Sequence, residues 1–306
     1  MKRILVTGGS GMLGANLLLE WRNKFELHSV QLRHRLGFAF CRHKIFDLAE
    51  KEKTLGVISE IKPHVVVHTA ALTNVDYCET HQDEALRANF VASENVAEAC
   101  SATGAKMVYV STDSVFDGKK GNYNEKSKTN PLNFYAKTKL FGEKVVTEKN
   151  SNTTVVRTNM FGWNMLEKNS LSEWIYFGLK KGEKLNLFTD VFFTPLIVNN
   201  LGRVIAELIE KDFSGTVNLA SPEKVSKFEF GIYIAEAFGL EREKICAASI
   251  DNMVLAAKRP KDTSLDISKA KKLLDTSLLT VKEGIAEKKR LLESGFIEAL
   301  RGGNLE

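Results

Sequence analysis

The sequence lacks the features that would place it among disulfide-rich, zinc-binding or membrane-spanning proteins. It contains four cysteines in 306 residues, and no two of them have the CxxC spacing that is typical of a zinc or disulfide framework. We therefore interpret Cys41, Cys78, Cys100 and Cys246 as free thiols in a reducing compartment. No apolar run approaches about 18 residues, so we predict no transmembrane helix and no membrane partner.

A strong charge bias and a metal-binding pattern are also missing. The formal net charge of +5 is modest and the basic residues are scattered along the chain, so we predict no nucleic-acid partner. His64 and His68 flank an apolar segment, but no carboxylate or cysteine completes a metal site, and we predict none. The first apolar strand begins by Arg3, which leaves no room for a signal peptide, so we expect a cytoplasmic protein.

The order of short apolar and longer amphipathic segments indicates the fold class. Strands and helices alternate through residue 158, which predicts an α/β fold with a parallel sheet and helices on both faces. The predicted strands are 3–7, 26–32, 65–69, 106–111, 153–158 and 216–219. The predicted helices are 12–22, 50–61, 82–103, 133–149, 169–181, 196–211, 226–238, 266–274 and 281–299.

Three glycines follow the first predicted strand where the next helix begins. In the spacing GxxGxxG, Gly8 permits a tight turn, Gly11 lets a pyrophosphate approach the backbone, and Gly14 allows close helix–strand packing. The start of the helix also offers unpaired N–H groups and the positive end of its dipole to phosphates. A glycine-rich turn without a ligand is the alternative, because the spacing differs from GxGxxG. We favour dinucleotide binding, with contacts from Gly8, Ser10, Gly11, Met12, Leu13 and Gly14.

The end of the second predicted strand bears on the choice between NAD and NADP. An acidic residue there would accept from the ribose 2′-hydroxyl, whereas a basic residue would pair with a 2′-phosphate. Arg33, His34 and Arg35 follow this strand, so we predict NADP(H) over NAD(H), bound through Arg33; a basic surface loop is the alternative. Asp47 and Leu48 come later in the chain. They could contact the adenine, or Asp47 could cap the next helix.

A threonine, a tyrosine and a lysine form the candidate catalytic group. Tyr135 and Lys139 lie one turn apart on a predicted helix, so their side chains share a face, although this spacing alone also arises by chance. A nearby ammonium group lowers the phenol pKa from its unperturbed value of about 10, and tyrosine can then protonate a carbonyl oxygen as hydride arrives. Thr112 lies at the carboxyl end of a predicted strand, where ligands bind, and can hydrogen-bond that carbonyl.

Together these residues resemble the extended short-chain dehydrogenase/reductases, and among them the dTDP-4-dehydrorhamnose reductase-like group of sugar-nucleotide reductases. The matching segments are 7–14, 68–76, 111–118 and 131–143, with weaker matches as far as about residue 265. The resemblance implies a reductase of a nucleotide-linked 4-keto-6-deoxy sugar. It implies that Tyr135 is the acid, that Lys139 lowers its pKa and binds the cofactor ribose, and that Thr112 contacts the carbonyl. It also implies cofactor contacts from Ala70, Ala71 and Thr73.

Four further residues are candidate substrate contacts by this resemblance. Asn89 lies where relatives have an asparagine near the active site, with a surface amide as the alternative. Asp76 could contact a sugar hydroxyl or cap a helix near residue 82. Arg259 could pair with a substrate phosphate or form a structural salt bridge. Ser114 stands where relatives often have an aromatic residue that faces the sugar.

The combined prediction is a Rossmann-type doubly wound parallel sheet with a smaller, mainly C-terminal α/β subdomain that binds substrate. We expect residues 1–158, with about 196–219, to bind NADP(H), and about 159–195 with 220–306 to bind a nucleotide-sugar. The predicted activity is NADP(H)-dependent reduction of a nucleoside-diphosphate-linked 4-keto-6-deoxy sugar, and a homodimer is compatible with it. Two alternatives stay open: an epimerase or dehydratase of sugar nucleotides that uses NAD(P), and a non-catalytic, cofactor-binding regulatory subunit of the same fold.

Overall fold

A computed structural model of the chain describes residues 1–166 and 169–302. The strands are β1 (Arg3–Thr7), β2 (Glu26–Gln31), β3 (Cys41–Ile45), β4 (Val65–His68), β5 (Lys106–Thr112), β6 (Thr153–Thr158), β7 (Met160–Phe161), β8 (Leu185–Phe188), β9 (Phe192–Phe193), β10 (Leu196–Ile197), β11 (Gly215–Asn218), β12 (Val225–Ser226) and β13 (Ile245–Ala248). The helices are α1 (Met12–Trp21), α2 (Lys51–Ile61), α3 (Val75–Thr80), α4 (Gln82–Leu86), α5 (Ala92–Thr103), α6 (Phe134–Lys149), α7 (Leu171–Lys180), α8 (Val198–Glu210), α9 (Lys227–Phe238), α10 (Ser268–Leu273), α11 (Val281–Glu293) and α12 (Phe296–Leu300).

Seven strands form one parallel sheet, in the order β11-β6-β5-β4-β1-β2-β3. The strand order reverses between β1 and β4, because the chain leaves β1 toward β2 and β3 and then returns to β4 on the other side. A crevice opens at the carboxyl ends of the strands at such a reversal, and ligands of doubly wound sheets bind there. The predicted doubly wound parallel sheet is therefore confirmed.

Helices cover both faces of the sheet, as continuous apolar strands require. One hydrophobic cluster packs α2, α5 and α6 against one face, with Leu5, Val66 and Tyr109 among its buried members. The other cluster packs α1 and α8 against the opposite face and extends without a break to Trp163 and Phe230. The same apolar core thus holds the sheet and the later part of the chain together.

The structure differs from the sequence prediction at the edge strand of the sheet and in two helices, and it adds α3 and the short strands β7, β8, β9, β10, β12 and β13. The edge strand β3 was not predicted, because its sequence Cys-Arg-His-Lys-Ile is mostly polar and alternates poorly. The predicted helix 82–103 is divided into α4, a π-helical turn at Arg87–Val91, and α5. The predicted helix 281–299 breaks at Gly295, whose φ of +73° ends α11 and begins α12. Helical periodicity alone does not reveal a π-turn, since the apolar spacing on either side is preserved.

The described residues contain neither a membrane-spanning helix nor a metal-binding cluster. None of their helices combines the length and the apolar character that crossing a membrane requires. Within residues 1–166 and 169–302, no three His, Cys, Asp or Glu side chains cluster so as to hold a metal ion.

Candidate active site

The turn between β1 and α1 is built so that backbone, not side chains, faces the crevice. Gly8 has a φ of +72°, and a Cβ atom there would lie 2.8 Å from the Cα atom of Ala70. A Cβ atom on Gly14 would collide with the carbonyl oxygen of Gly8. Gly11 is the N-cap of α1, no side chain caps it, and the first turn carries no acidic residue. The residues present therefore fit a dinucleotide phosphate at the positive end of the helix.

A cavity of about 380 Å³ opens at this turn and joins it to the candidate catalytic residues. Eight of its lining residues are predicted site residues: Ser10, Gly11, Met12, Leu13, Ala71, Thr73, Thr112 and Tyr135. Six others, which the sequence analysis did not name, come from the chain after β6: Asn159, Met160, Asn164, Leu166, Asn169 and Ser170. Asn159 directly follows the carboxyl end of β6, and its position at this edge of the sheet is the signal that would have found it.

Tyr135 enters the cavity from the first turn of α6. The side chain of Asn133 caps this helix by accepting from the backbone N–H of Ala136 at 2.9 Å, which fixes where the turn starts. Burial raises the pKa of the Tyr135 phenol, and a hydrogen bond with the Thr112 hydroxyl opposes that rise. The two hydroxyl groups therefore lie close enough to contact one carbonyl oxygen.

Thr112 is held by the turn that follows β5. Its hydroxyl accepts from the backbone N–H of Ser114 at 3.2 Å and lies 3.2 Å from a carboxylate oxygen of Asp113. The other oxygen of this buried carboxylate accepts from Asn159 at 2.9 Å and from Thr263 at 2.7 Å. Asp113 thus joins the end of β5 to two later segments. The Ser114 hydroxyl donates to the same carboxylate at 3.2 Å.

Lys139 follows Tyr135 by one turn, and its side chain is buried. Its Nζ atom lies 4.1 Å from the centre of the Tyr109 ring, and burial lowers the pKa of its ammonium group to about 7. Glu143 lies one turn further along α6, but both of its carboxylate oxygens accept from Arg157, at 2.9 and 2.7 Å. The carboxylate of Glu143 therefore offsets only part of the lowering of the Lys139 pKa that burial causes.

Asn89 lies in the π-helical turn and is buried, so it is not a surface amide. Its Oδ1 atom accepts from the backbone N–H of Leu72 at 2.7 Å, and its Nδ2 atom donates to the carbonyl of Leu72 at 3.0 Å. The same Nδ2 atom donates to the Thr138 hydroxyl at 3.0 Å. Asn89 therefore ties the loop after β4 to helix α6.

Asp76 and Arg259 form an ion pair with each other at 2.7 Å. Asp76 also accepts from the backbone N–H of Ala257 at 2.9 Å, so it holds the chain around residue 257 against α3. The N-cap of α4 is His81, and the proposed cap near residue 82 is therefore not made by Asp76. The guanidinium group stays about one quarter exposed.

The predicted adenine end lies outside the cavity lining. Arg33 follows β2 and is exposed. Asp47 accepts from the backbone N–H of Ala49 at 2.9 Å and from Arg87 at 2.9 Å, and the N-cap of α2 is Glu50 rather than Asp47. Leu48 is buried. Three of the remaining predicted contacts pack against one another in the glycine turn and are not part of the cavity lining: Gly8, Gly14 and Ala70.

Known proteins of similar sequence and fold identify the family of the chain. The sequence profile of the RmlD substrate binding domain family matches residues 1–292. The chain belongs to this family. The predicted resemblance to dTDP-4-dehydrorhamnose reductase-like members of the extended short-chain dehydrogenase/reductases is thereby confirmed.

Among the similar proteins, two are named as reductases and one as a methionine adenosyltransferase subunit. The dTDP-4-dehydrorhamnose reductase of Bacillus anthracis, solved in complex with NADP, is 27% identical with a TM-score of 0.85, over 95% of this chain and 99% of that one. The probable low-salt glycan biosynthesis reductase Agl14 of Haloferax volcanii is 28% identical over 95% of this chain and 97% of its own. The methionine adenosyltransferase 2 subunit beta of Rattus norvegicus is 33% identical over 89% of this chain and 82% of its own.

Proposed function

We propose that the protein is an NADP(H)-dependent reductase of a nucleoside-diphosphate-linked 4-keto-6-deoxy sugar. The observation that carries this proposal is that the glycine turn, Thr112 and Tyr135 all line the same cavity. Residues that follow β6, among them Asn159, Asn164 and Ser170, also line that cavity. Residues 1–158 with about 196–219 would hold the cofactor, and about 159–195 with 220–306 would hold the nucleotide-sugar.

The chain supplies the groups that ketone reduction needs. When bound, the nicotinamide supplies a hydride to the carbonyl carbon. Tyr135 donates its phenolic proton to the carbonyl oxygen, and Thr112 holds that oxygen by a hydrogen bond. The ammonium group of Lys139 would stabilise the phenolate that remains, while the hydrogen bond with Thr112 opposes the rise in the Tyr135 pKa that burial causes. The products would be the sugar alcohol and NADP⁺, and Tyr135 would regain its proton from water.

The cofactor preference rests on Arg33 and on one relative. Arg33 is exposed at the end of β2, where a 2′-phosphate would lie. The Bacillus anthracis reductase, which covers nearly the whole chain, was solved with NADP. We therefore place NADP(H) ahead of NAD(H).

The proposal is tested with NADPH fluorescence and a panel of dTDP-, UDP- and GDP-linked 4-keto-6-deoxy sugars. We expect oxidation of NADPH with at least one sugar and a loss of about 10³-fold in Tyr135→Phe. Tyr233→Phe is the matched control. Tyr233 lies on α9, its hydroxyl lies near Glu223, and it is not among the residues that line the cavity. No turnover with any sugar, despite tight binding of NADPH, would contradict a reductase.

That negative result would favour a second function. Several curated relatives are methionine adenosyltransferase 2 beta subunits, and the Rattus norvegicus protein is 33% identical to this chain. A regulatory subunit of this kind would bind the cofactor and a catalytic partner without reducing a sugar. Co-purification with a methionine adenosyltransferase catalytic subunit, and a change in its activity on mixing, would be the supporting result.

A further inference from the structure

His68 is a buried histidine that the proposed reaction does not use. It ends β4, directly before the loop of residues 69–72, and 1% of its surface is exposed. Its ring stacks on the Tyr109 ring with 5.8 Å between the ring centres. The Lys139 ammonium lies over the Tyr109 ring. Burial and the charge of Lys139 lower the pKa of His68 to about 3, so the imidazole is neutral.

The partners of His68 fix which nitrogen carries the proton. The hydroxyl of Ser93 donates to the backbone carbonyl of Asn89 at 2.7 Å, so its only proton is used there. Since His68 Nε2 lies 3.1 Å from the same hydroxyl, Nε2 must donate to it. Nδ1 is then an acceptor, and the Thr7 hydroxyl donates to it at 2.8 Å. Thr7 in turn accepts from the backbone N–H of Ala70 at 3.4 Å.

These bonds continue to the catalytic tyrosine. Asn89 accepts from Ser93 through its backbone carbonyl and donates through Nδ2 to the Thr138 hydroxyl at 3.0 Å. Thr138 donates to the backbone carbonyl of Tyr135 at 2.7 Å. Asn89 also holds the backbone of Leu72 at both its N–H and its carbonyl. This hydrogen-bond network therefore connects β1 and the loop after β4 to the first turn of α6.

Close packing at Gly142 and the π-helical turn at Asn89 leave this network little freedom to rearrange. A Cβ atom on Gly142 would collide with the Tyr109 hydroxyl and would lie 3.1 Å from the Asn89 carbonyl. Asn89 lies in a π-helical turn, a conformation that is rare and often found at functional sites. Close packing of α6 against this turn means that a change in the His68 bonds would move the Tyr135 backbone.

We propose that His68 is a positioning residue: as the neutral, Nε2-protonated tautomer, it holds residues 69–72, which line the cavity through Thr69 and Ala71, in register with Tyr135. The kinetic part of its test rests on the proposed reductase function. The tautomer and the cofactor affinity do not, so the two proposals fail separately.

The first experiment is ¹⁵N NMR of the histidine rings in the full-length protein, with the His68 signals assigned by their loss in His68→Gln. We expect a neutral ring protonated at Nε2, with no titration between about pH 5.5 and 8.5. Protonation at Nδ1, or a midpoint within that range, would overturn the proposal. The tautomer is read from the wild-type protein, and His68→Gln serves only to assign its signals, so the result does not depend on the stability of His68→Leu.

The second experiment compares His68→Gln with His68→Leu. A glutamine amide can supply one acceptor and one donor at the spacing of the ring nitrogens, whereas leucine supplies neither. In His68→Leu we expect the dissociation constant of NADPH to rise and kcat to fall, each by about 10-fold, with the sugar KM little changed. His68→Gln should recover both values to within about 3-fold.

A role in core packing alone predicts the opposite order, since a buried amide is tolerated less well than leucine. Equal or better function in His68→Leu than in His68→Gln would therefore overturn the proposal. His64→Leu is the matched control, because that exposed histidine on the same segment bonds only to the backbone N–H of Arg3 in the described structure. Absence of sugar turnover in the wild type would remove the reductase proposal and leave the NMR and NADPH results to decide this one.

Discussion

Lys139 and Lys288 are buried lysines in different parts of the molecule, and their surroundings differ in one respect. Both face an aromatic ring, with Nζ 4.1 Å from the centre of Tyr109 and 3.3 Å from the centre of Trp163. Burial lowers the pKa of each to about 7. Lys288, however, donates to the carbonyl of Gly162 at 3.0 Å, whereas the Lys139 ammonium has no hydrogen bond or ion pair with any described residue.

This difference shows that burial and a lowered pKa do not identify a functional lysine. Lys288 is satisfied by the backbone around Trp163, whose indole donates to the Lys288 carbonyl at 2.9 Å. Lys139 lies one turn from Tyr135, and none of the described residues accepts a hydrogen bond from its ammonium. We therefore expect Lys288 to serve packing around Trp163 and Lys139 to serve the proposed reaction.

The largest expected effect separates the two lysines by activity. Lys139→Met should lower turnover of a 4-keto sugar by about 10³-fold, because the Tyr135 phenolate loses its ammonium. Lys288→Met should keep turnover within about 3-fold of the wild type. Steady-state kinetics with NADPH check both variants, and circular dichroism confirms that they are folded. Equal losses in the two variants would break the comparison.

The next effect concerns the cofactor end of the site. Arg33→Ala should weaken NADPH by about 10-fold or more and NADH by less than about 3-fold, since only NADPH carries the 2′-phosphate. Fluorescence titration with each cofactor measures both constants. Arg42→Ala, on the neighbouring strand β3, is the matched control because Arg42 is also exposed. Equal weakening of the two cofactors would remove the assignment of Arg33 to the phosphate.

A smaller effect is expected at the Asp76–Arg259 pair. Arg259→Ala should raise the sugar KM by about 5-fold and leave NADPH affinity unchanged, because it removes a partly exposed cation, its ion pair with Asp76 and its bond to the Ala257 carbonyl. Arg259→Lys should recover part of the loss. A change in NADPH affinity without a change in sugar KM would place this pair at the cofactor end instead.

The smallest effect is on stability and pH. The pKa of Lys288 is lowered from 10.5 to about 7 in the folded protein, so the folded state loses this proton before the unfolded state does. The cost of burying the charge is therefore full below about pH 7 and declines as the pH rises toward 10.5. Urea unfolding of Lys288→Met should show a smaller rise in stability between pH 7 and 9.5 than the wild type shows.

The matched control for that experiment is Lys272→Met, since Lys272 is exposed on α10. Its pH dependence should follow that of the wild type. The same measurement on Lys139→Met sharpens the comparison, because NADPH should change the pH dependence that Lys139 contributes and leave that of Lys288 unchanged. Identical responses of both lysines to NADPH would contradict the assignment of Lys139 to the cofactor site.

Much of the fold was predictable because buried parallel strands and a glycine turn leave a strong local pattern. Val65, Val66 and Val67 are apolar without interruption, as a strand with helices on both faces requires. The polar edge strand β3 carries no such pattern, and the short strands after residue 158 are too brief to produce one. The π-turn at Asn89 has no local signature, and the bond from Asn89 to Leu72 joins residues that are 17 positions apart.

The sequence by itself determined the phosphate turn and the spacing of Tyr135 and Lys139, since backbone freedom at glycine and the helical repeat are local properties. Three features emerge only from the folded chain: Asp76 pairs with Arg259, Asn89 is buried, and Asn159, Asn164 and Ser170 join the cavity lining. These contacts join residues 17 to more than 180 positions apart, as from Asn89 to Leu72 and from Asp76 to Arg259. No local pattern records such contacts, because the packing of whole elements sets which side chains meet.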